Sequence, residues 1–133
     1  MQQSQQKNLH SEDLKVYLKT YEVLENGQLK AVEETATNLT LIESIDNFKE
    51  NTFWLKIKNL WILVGKIPPL SIQANDIILF KEKGKWGMFR FIEKKADVVI
   101  LSDVKGEKKT KVKEENFTSI NILGKVLRIQ DRV

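Results

Sequence analysis

The sequence predicts an all-β domain, a twisted barrel or sandwich of short strands. Three observations carry that expectation. Runs rich in Val, Ile, Leu, Thr and aromatic residues alternate with polar ones at period two. Turn signals at Asn26-Gly27, Gly65…Pro68-Pro69, Lys83-Gly84-Lys85 and Val104-Lys105-Gly106-Glu107 punctuate the chain at strand-like intervals. No stretch carries the 3.6-residue period of a long helix, and no internal repeat is visible.

Taken in order, residues 1–13 read as a flexible polar leader, rich in Gln and without periodic apolar positions, followed by one domain over 14–133. Leu14–Leu18 alternates as a strand. Asn26-Gly27, between Glu22–Glu25 and Gln28–Val32, predicts a hairpin closed by a type I′ turn, which needs positive φ at both central residues. Thr37–Ile45 reads as a further strand. Phe53–Ile57 and Ile77–Phe80 follow, with the apolar block Leu60–Val64 between them. Trp86–Ile92 is an aromatic-rich strand after the Lys83–Lys85 turn. Val98–Leu101 reads as a short strand buried on both faces. Lys108–Lys113 reads as an edge strand whose charge discourages aggregation. Gly124 then leads into an alternating terminal strand, Lys125–Ile129.

Composition excludes several chemistries. The chain has 133 residues and no cysteine, so disulfides, thiolate metal sites and cysteine nucleophiles are ruled out. Its single histidine, His10, builds neither a histidine metal cluster nor a Ser–His pair. No metal site and no cofactor is expected. Neither a signal peptide nor an apolar run of membrane-spanning length is apparent, so a cytoplasmic protein without membrane attachment is expected. The net charge of +4 is uneven: residues 1–66 carry 8 Lys and 9 acids, whereas residues 67–133 carry 14 Lys and Arg and 9 acids. A basic half attracts phosphates or an acidic partner, although interleaved Lys and Glu also describe an ordinary solvated surface.

The order of these features resembles the C-terminal domain of the LexA, UmuD and phage-repressor family, the Ser–Lys self-cleaving peptidases. The stretches that carry the resemblance are FWLKIK (53–58), PLSIQANDIILF (69–80), MFRFIEKKADVVILS (88–102) and NFTSINILGKVLRI (116–129). EVLENGQLKAVEE (22–34) resembles, more weakly, the segment that holds the family's cleavage site. The resemblance implies that family's peptidase-like β fold, with an architecture closer to UmuD than to LexA because so little chain precedes the matching region.

It also implies that this member is catalytically degenerate. Family members place a Gly-x-Ser-Met nucleophile just after the strand matching Leu55–Ile57, and a lysine base on a neighbouring strand. Here the serine slot falls at Trp61 and the lysine slot at Arg90. Indole offers no nucleophile, and a guanidinium stays protonated and does not serve as a base. No serine occurs between Ser44 and Ser71, and no Ala-Gly dipeptide supplies a scissile bond. Lys66, in a Gly-Lys-Ile-Pro turn, reads as a solvated ammonium. The expectation is therefore not an enzyme. Trp61 either plugs a former cleft or packs in an ordinary buried strand; a third reading makes Leu60–Val64 an exposed apolar loop for a partner.

Two functions from different classes follow. The first is a non-catalytic interaction and dimerisation module, regulatory or accessory in the DNA-damage (SOS) response or in prophage control. What the resemblance implies there is a homodimer or a heterodimer with a family member, with a translesion polymerase or a phage repressor as further candidate partners. Its candidate contact residues are Leu60, Trp61 and Ile62, together with Lys125, Val126 and Leu127 on the terminal strand. The alternative is a small basic β-barrel that binds single-stranded nucleic acid through Lys83, Lys85, Trp86 and Arg90. Alternation places Trp86, Met88 and Arg90 on one face and Phe89 and Phe91 on the other, so only one aromatic is left for stacking.

Overall fold

A computed structural model describes residues 15–38 and 48–131. The expected leader, residues 1–13, and most of the expected strand Thr37–Ile45 lie outside them. Within them the chain is all-β. Nine strands form one mixed sheet: β1 (Lys15–Val23), β2 (Leu29–Asn38), β3 (Thr52–Ile57), β4 (Leu60–Gly65), β5 (Ile77–Glu82), β6 (Lys85–Lys95), β7 (Val98–Ser102), β8 (Lys109–Lys113) and β9 (Ile122–Gln130). The only helices among the described residues are short: α1 (Phe48–Asn51) and two 3-10 turns, Pro69–Ser71 and Glu114–Asn116. The spatial order is β2-β1-β3-β4-β9-β5-β6-β7-β8. The sheet therefore ends at β2 and β8 and does not close into a barrel; it folds on itself as a sandwich.

Hairpins dictate most of this order. β3–β4, β5–β6 and β6–β7 are each joined by two residues, and the first residue of each link (Lys58, Lys83 and Ala96) has positive φ. At Lys83-Gly84 both residues are left-handed, which is the type I′ geometry that matches strand twist. The Asn26-Gly27 hairpin forms, but by another turn. Only Gly27 has positive φ there. Gly27 N–H donates to the Leu24 carbonyl, and Leu24 N–H donates to the Gln28 carbonyl. The loop is thus longer than two residues, and Asn26 Oδ1 accepts from Gln28 N–H instead of Asn26 adopting left-handed backbone. β1 pairs β3 in parallel, with Glu22 opposite Lys56 and their charged ends 3.9 Å apart.

β9 comes last in sequence and sits in the middle. Ile122–Lys125 pairs with β5, Lys125–Gln130 pairs with β4, and Lys125 faces both Gly65 and Ile78. Register slips on both sides leave Leu123 and Leu127 without an opposite residue. The bulge at Leu127 breaks the alternation expected over Lys125–Ile129, and the two bulges together bend the strand so that it leaves one half of the sheet and enters the other. Gly124 lies at the bend, packed against the Gly65 carbonyl so closely that a Cβ would sit 2.4 Å from that oxygen.

Three apolar clusters hold the halves. Phe53, Leu55, Ile62 and Val64 meet Leu79 from the other half, with Met88, Leu123 and Val126 packed around them. Leu18, Trp54 and Leu63 form a second cluster, bordered by Val16 and Trp61. The third joins Ile78 and Phe80 of β5 to Val99 and Leu101 of β7 and Val112 of β8. Strands at opposite ends of the β5–β8 half share that core, so this half curls. The face of β7 that carries Val98 and Ile100 is only half-buried, which corrects the expectation of a strand buried on both faces. β8 is an edge strand as expected, with Lys109, Lys111 and Lys113 exposed.

Candidate functional site

The stretch around Trp61 is not a strand followed by a nucleophile loop. β3 turns back through Lys58-Asn59, and Trp61 lies inside the β3–β4–β9 ladder, opposite Lys56 and Gln130. Its half-buried ring packs edge-on against Trp54 at 6.1 Å, with Lys56 Nζ 4.9 Å from the ring centre. Of the three readings of Leu60–Val64, the geometry is nearest the buried strand: Ile62, Leu63 and Val64 are fully buried, but Leu60 and Trp61 are only half-buried and the indole borders the core rather than filling it. There is no exposed apolar loop here.

Arg90 lies in β6, paired with Ile77 and Ser102. β9 and β5 separate β4 from β6, so the two slots stand three strand spacings apart, roughly 14 Å along the sheet. The Arg90 guanidinium donates from Nε and Nη2 to the Val104 carbonyl, at 3.0 and 2.5 Å, and thereby fastens the β7–β8 loop. Trp61 and Arg90 are therefore not brought together as a dyad would require; each is engaged in a separate structural contact.

The true loop follows β4. Lys66 N–H donates to the Asn51 carbonyl, and Lys66 Nζ stands 5.9 Å over the Phe53 ring. The 3-10 turn Pro69–Ser71 leaves Ser71 exposed, and Leu70 beside it is 93% exposed. Among the described residues no hydrogen bond links the Ser71 hydroxyl to a lysine. Asp76 organises what comes next, and sequence reasoning missed it. Its Oδ2 accepts from Gln73 N–H at 2.8 Å, and its Oδ1 lies 3.3 Å from Lys125 Nζ on β9. Backbone bonds tie Asn75 N–H to the Phe91 carbonyl and Phe91 N–H to the Asp76 carbonyl. Asn75 has φ of 74°, a conformation that asparagine tolerates better than most residues, so the Asn-Asp dipeptide was the available signal. A cavity of about 200 Å³ opens beside this turn, between Leu70, Ile72, Phe91 and Phe117, with the Lys94–Glu114 ion pair at its rim.

The interaction candidates fall on two adjacent strands. Leu60, Trp61 and Ile62 on β4 neighbour β9, where Lys125 and Val126 face Gly65 and Val64. Ile62 is fully buried and offers nothing to a partner, whereas Leu127 and Ile129 are 40% and 46% exposed. The nucleic-acid candidates are dispersed. Lys83 and Lys85 are exposed at the β5–β6 turn. Trp86 donates its indole N–H to the Gly27 carbonyl at 2.9 Å and lies under Lys81 Nζ, so it is no free stacking platform. Phe89 and Phe91 pack on the core.

Asp103 has a perturbed acidity. Desolvation acts to raise the Asp103 pKa, but hydrogen bonds from the backbone of Glu107, Lys108 and Gly106, helped by the Lys108 charge, hold it below the ordinary carboxylate value. It shapes the β7–β8 loop. Among the described residues no group of three His, Asp or Glu side chains is placed to hold a metal, and no helix is long and apolar enough to cross a membrane. No family model and no curated protein matches the chain.

Proposed function

We propose that the chain is a non-catalytic protein-interaction module of the LexA/UmuD kind, which self-associates through β9 and serves as a regulatory or accessory protein in DNA-damage response or prophage control. The observation that carries the reading is the exposure of Leu127 and Ile129 on a strand that bends at the centre of the sheet. Apolar side chains at such a position favour burial against a partner. β9 is already laddered to β4 and β5, so association runs through side chains rather than through a new backbone ladder at this strand. A non-catalytic role is supported by the separation of Trp61 from Arg90 and by the absence of nucleophile or base chemistry in either group.

Light scattering after size exclusion tests the reading. The expected result is a dimer at high micromolar concentration, and a monomer for the Leu127→Lys/Ile129→Lys variant at unchanged circular dichroism. A strict monomer for the native chain would overturn it. Incubation at alkaline pH tests the second element: no specific truncation is expected, and a discrete cleavage product would restore the peptidase.

A further inference from the structure

One cleft gathers lysines that form no ion pair among the described residues. It lies between the β5–β6 hairpin and β8, encloses about 470 Å³, and is lined by Lys81, Lys83, Lys111 and Lys113 with Glu82 as the one acid. The ion pairs among the described residues are Lys56–Glu22, Lys94–Glu114, Lys95–Glu93 and Lys125–Asp76. None of the four cleft lysines takes part in them. Like charges gathered round a concave wall repel, and the fold tolerates this most cheaply where an anion completes the set.

The same cleft borders the open edge of the sheet. β8 pairs only with β7 and has no strand on its other flank among the described residues. Its lysines alternate with Thr110 and Val112, and Val112 is buried in the core. Lysine on an edge strand is by itself explained as protection against aggregation. That explanation does not extend to Lys83, which lines the cleft from another hairpin; Lys81 lines it too, but its Nζ lies over the Trp86 ring. An open edge supplies backbone donors and acceptors, and the lysines supply charge at every second position. Strand addition uses that combination.

We propose that the cleft beside β8 takes an extended acidic peptide segment of a partner protein, added as a further strand with carboxylates at alternate positions facing Lys111 and its neighbours. The proposal rests on the reading of the chain as a protein-interaction module, but not on self-association through β9. Carboxylates at i and i+2 stand opposite lysines on one sheet face, at the cross-strand spacing where opposite charges attract. The cleft also has a direction. Beyond Lys113, Asp97, Glu114 and Glu115 gather round the next hollow, so the acidic run ends there. A nucleic-acid strand fits less well. The aromatic of the lining, Phe80, is 2% exposed and offers no face for stacking a base.

Fluorescence anisotropy tests this with a labelled peptide that alternates Glu with Val or Thr, a Gln-for-Glu version, and a single-stranded oligonucleotide of equal charge. The acidic peptide is expected to bind the native chain and the control Lys30→Glu on β2 alike. Lys111→Glu, an exposed position, weakens binding about tenfold, and Lys83→Asn/Lys111→Glu weakens it further. Asparagine suits the positive φ of position 83, so the double variant keeps its turn. Methylating alternate peptide amides abolishes binding in one register and spares it in the other. Any of four outcomes overturns the proposal: no binding at about 100 µM, equal affinity of the Gln version, tighter binding of the oligonucleotide, or tolerance of methylation in both registers. A native chain that binds the acidic peptide but remains monomeric would sink association through β9 and leave this site standing.

Discussion

The indole of Trp86 on β6 donates a hydrogen bond to the carbonyl of Gly27, in the turn between β1 and β2. Fifty-nine residues separate them. The contact latches the tip of one hairpin to the tip of another in the opposite half of the sheet. Gly27 also lies against the Gly84 carbonyl, where a Cβ would approach to 2.3 Å. The two hairpin tips therefore meet backbone to backbone, and the latch needs a residue without a side chain.

Gly27→Ala is expected to lower stability by about 2 kcal/mol or more, since φ is +85° and the obstructing atom is backbone. Trp86→Phe keeps the ring under Lys81 but removes the donor, and costs about 1 kcal/mol. Urea unfolding followed by circular dichroism measures both. An unchanged midpoint for Gly27→Ala would mean that the tips do not touch in solution.

Gly124→Ala is expected to be at least as damaging as Gly27→Ala. Its Cβ would lie 2.4 Å from the Gly65 carbonyl oxygen and 2.8 Å from Val64 Cγ1. Neither neighbour retreats without moving the β4–β9 ladder. Loss of the folded state, or a drop in thermal midpoint larger than that of Gly27→Ala, is the result to look for.

The tryptophans rank by burial. Trp54 is 0% exposed and donates to Thr37 Oγ1 at 2.7 Å, so Trp54→Ala costs about 3–5 kcal/mol from lost burial and the cavity left behind. Trp61→Ala costs less, because that ring is half in solvent. Comparing the two by denaturant titration separates a core tryptophan from a bordering one. A larger loss at position 61 would contradict the packing described.

Acid loosens the β7–β8 loop. The folded-state pKa of Asp103 is lowered, so its contribution to stability is present above the ordinary carboxylate pKa and is lost as pH falls through the lower, folded value. Its Oδ1 accepts from Glu107 N–H at 2.7 Å and from Lys108 N–H at 3.3 Å. After correction for the intrinsic pH dependence of exchange, protection of these two amides should fall in acid and be weaker in Asp103→Asn at neutral pH. Equal protection in the variant at neutral pH would show that the carboxylate's charge does not hold the loop.

Much of the fold was legible because strand period and turn chemistry are local. Phe53–Ile57, Ile77–Phe80, Trp86–Ile92 and the lysine edge all fall where alternation, aromatic enrichment and charge put them. What stayed hidden depends on partners distant in sequence. Asn26-Gly27 carried the stronger type I′ signature, yet that turn forms at Lys83-Gly84, where the closing pair Glu82 and Lys85 sets a two-residue link. Alternation over Lys125–Ile129 gave no sign of the bulge at Leu127, which follows from how β9 meets β4. Trp61 and Arg90 were matched as a pair by linear spacing, and only the strand order shows β9 and β5 between them. The cleft lysines, from two hairpins and an edge strand, share no motif at all.

The central place of β9 bears on how the molecule is made. Until that strand arrives, β4 and β5 each present a bare flank, and among the described residues the two halves have no common ladder. Synthesis therefore runs through almost the whole domain before its middle is filled, and such long-range pairing is slow. A fragment that stops before Ile122 exposes two sticky apolar edges at once, and its fate is clumping rather than partial function.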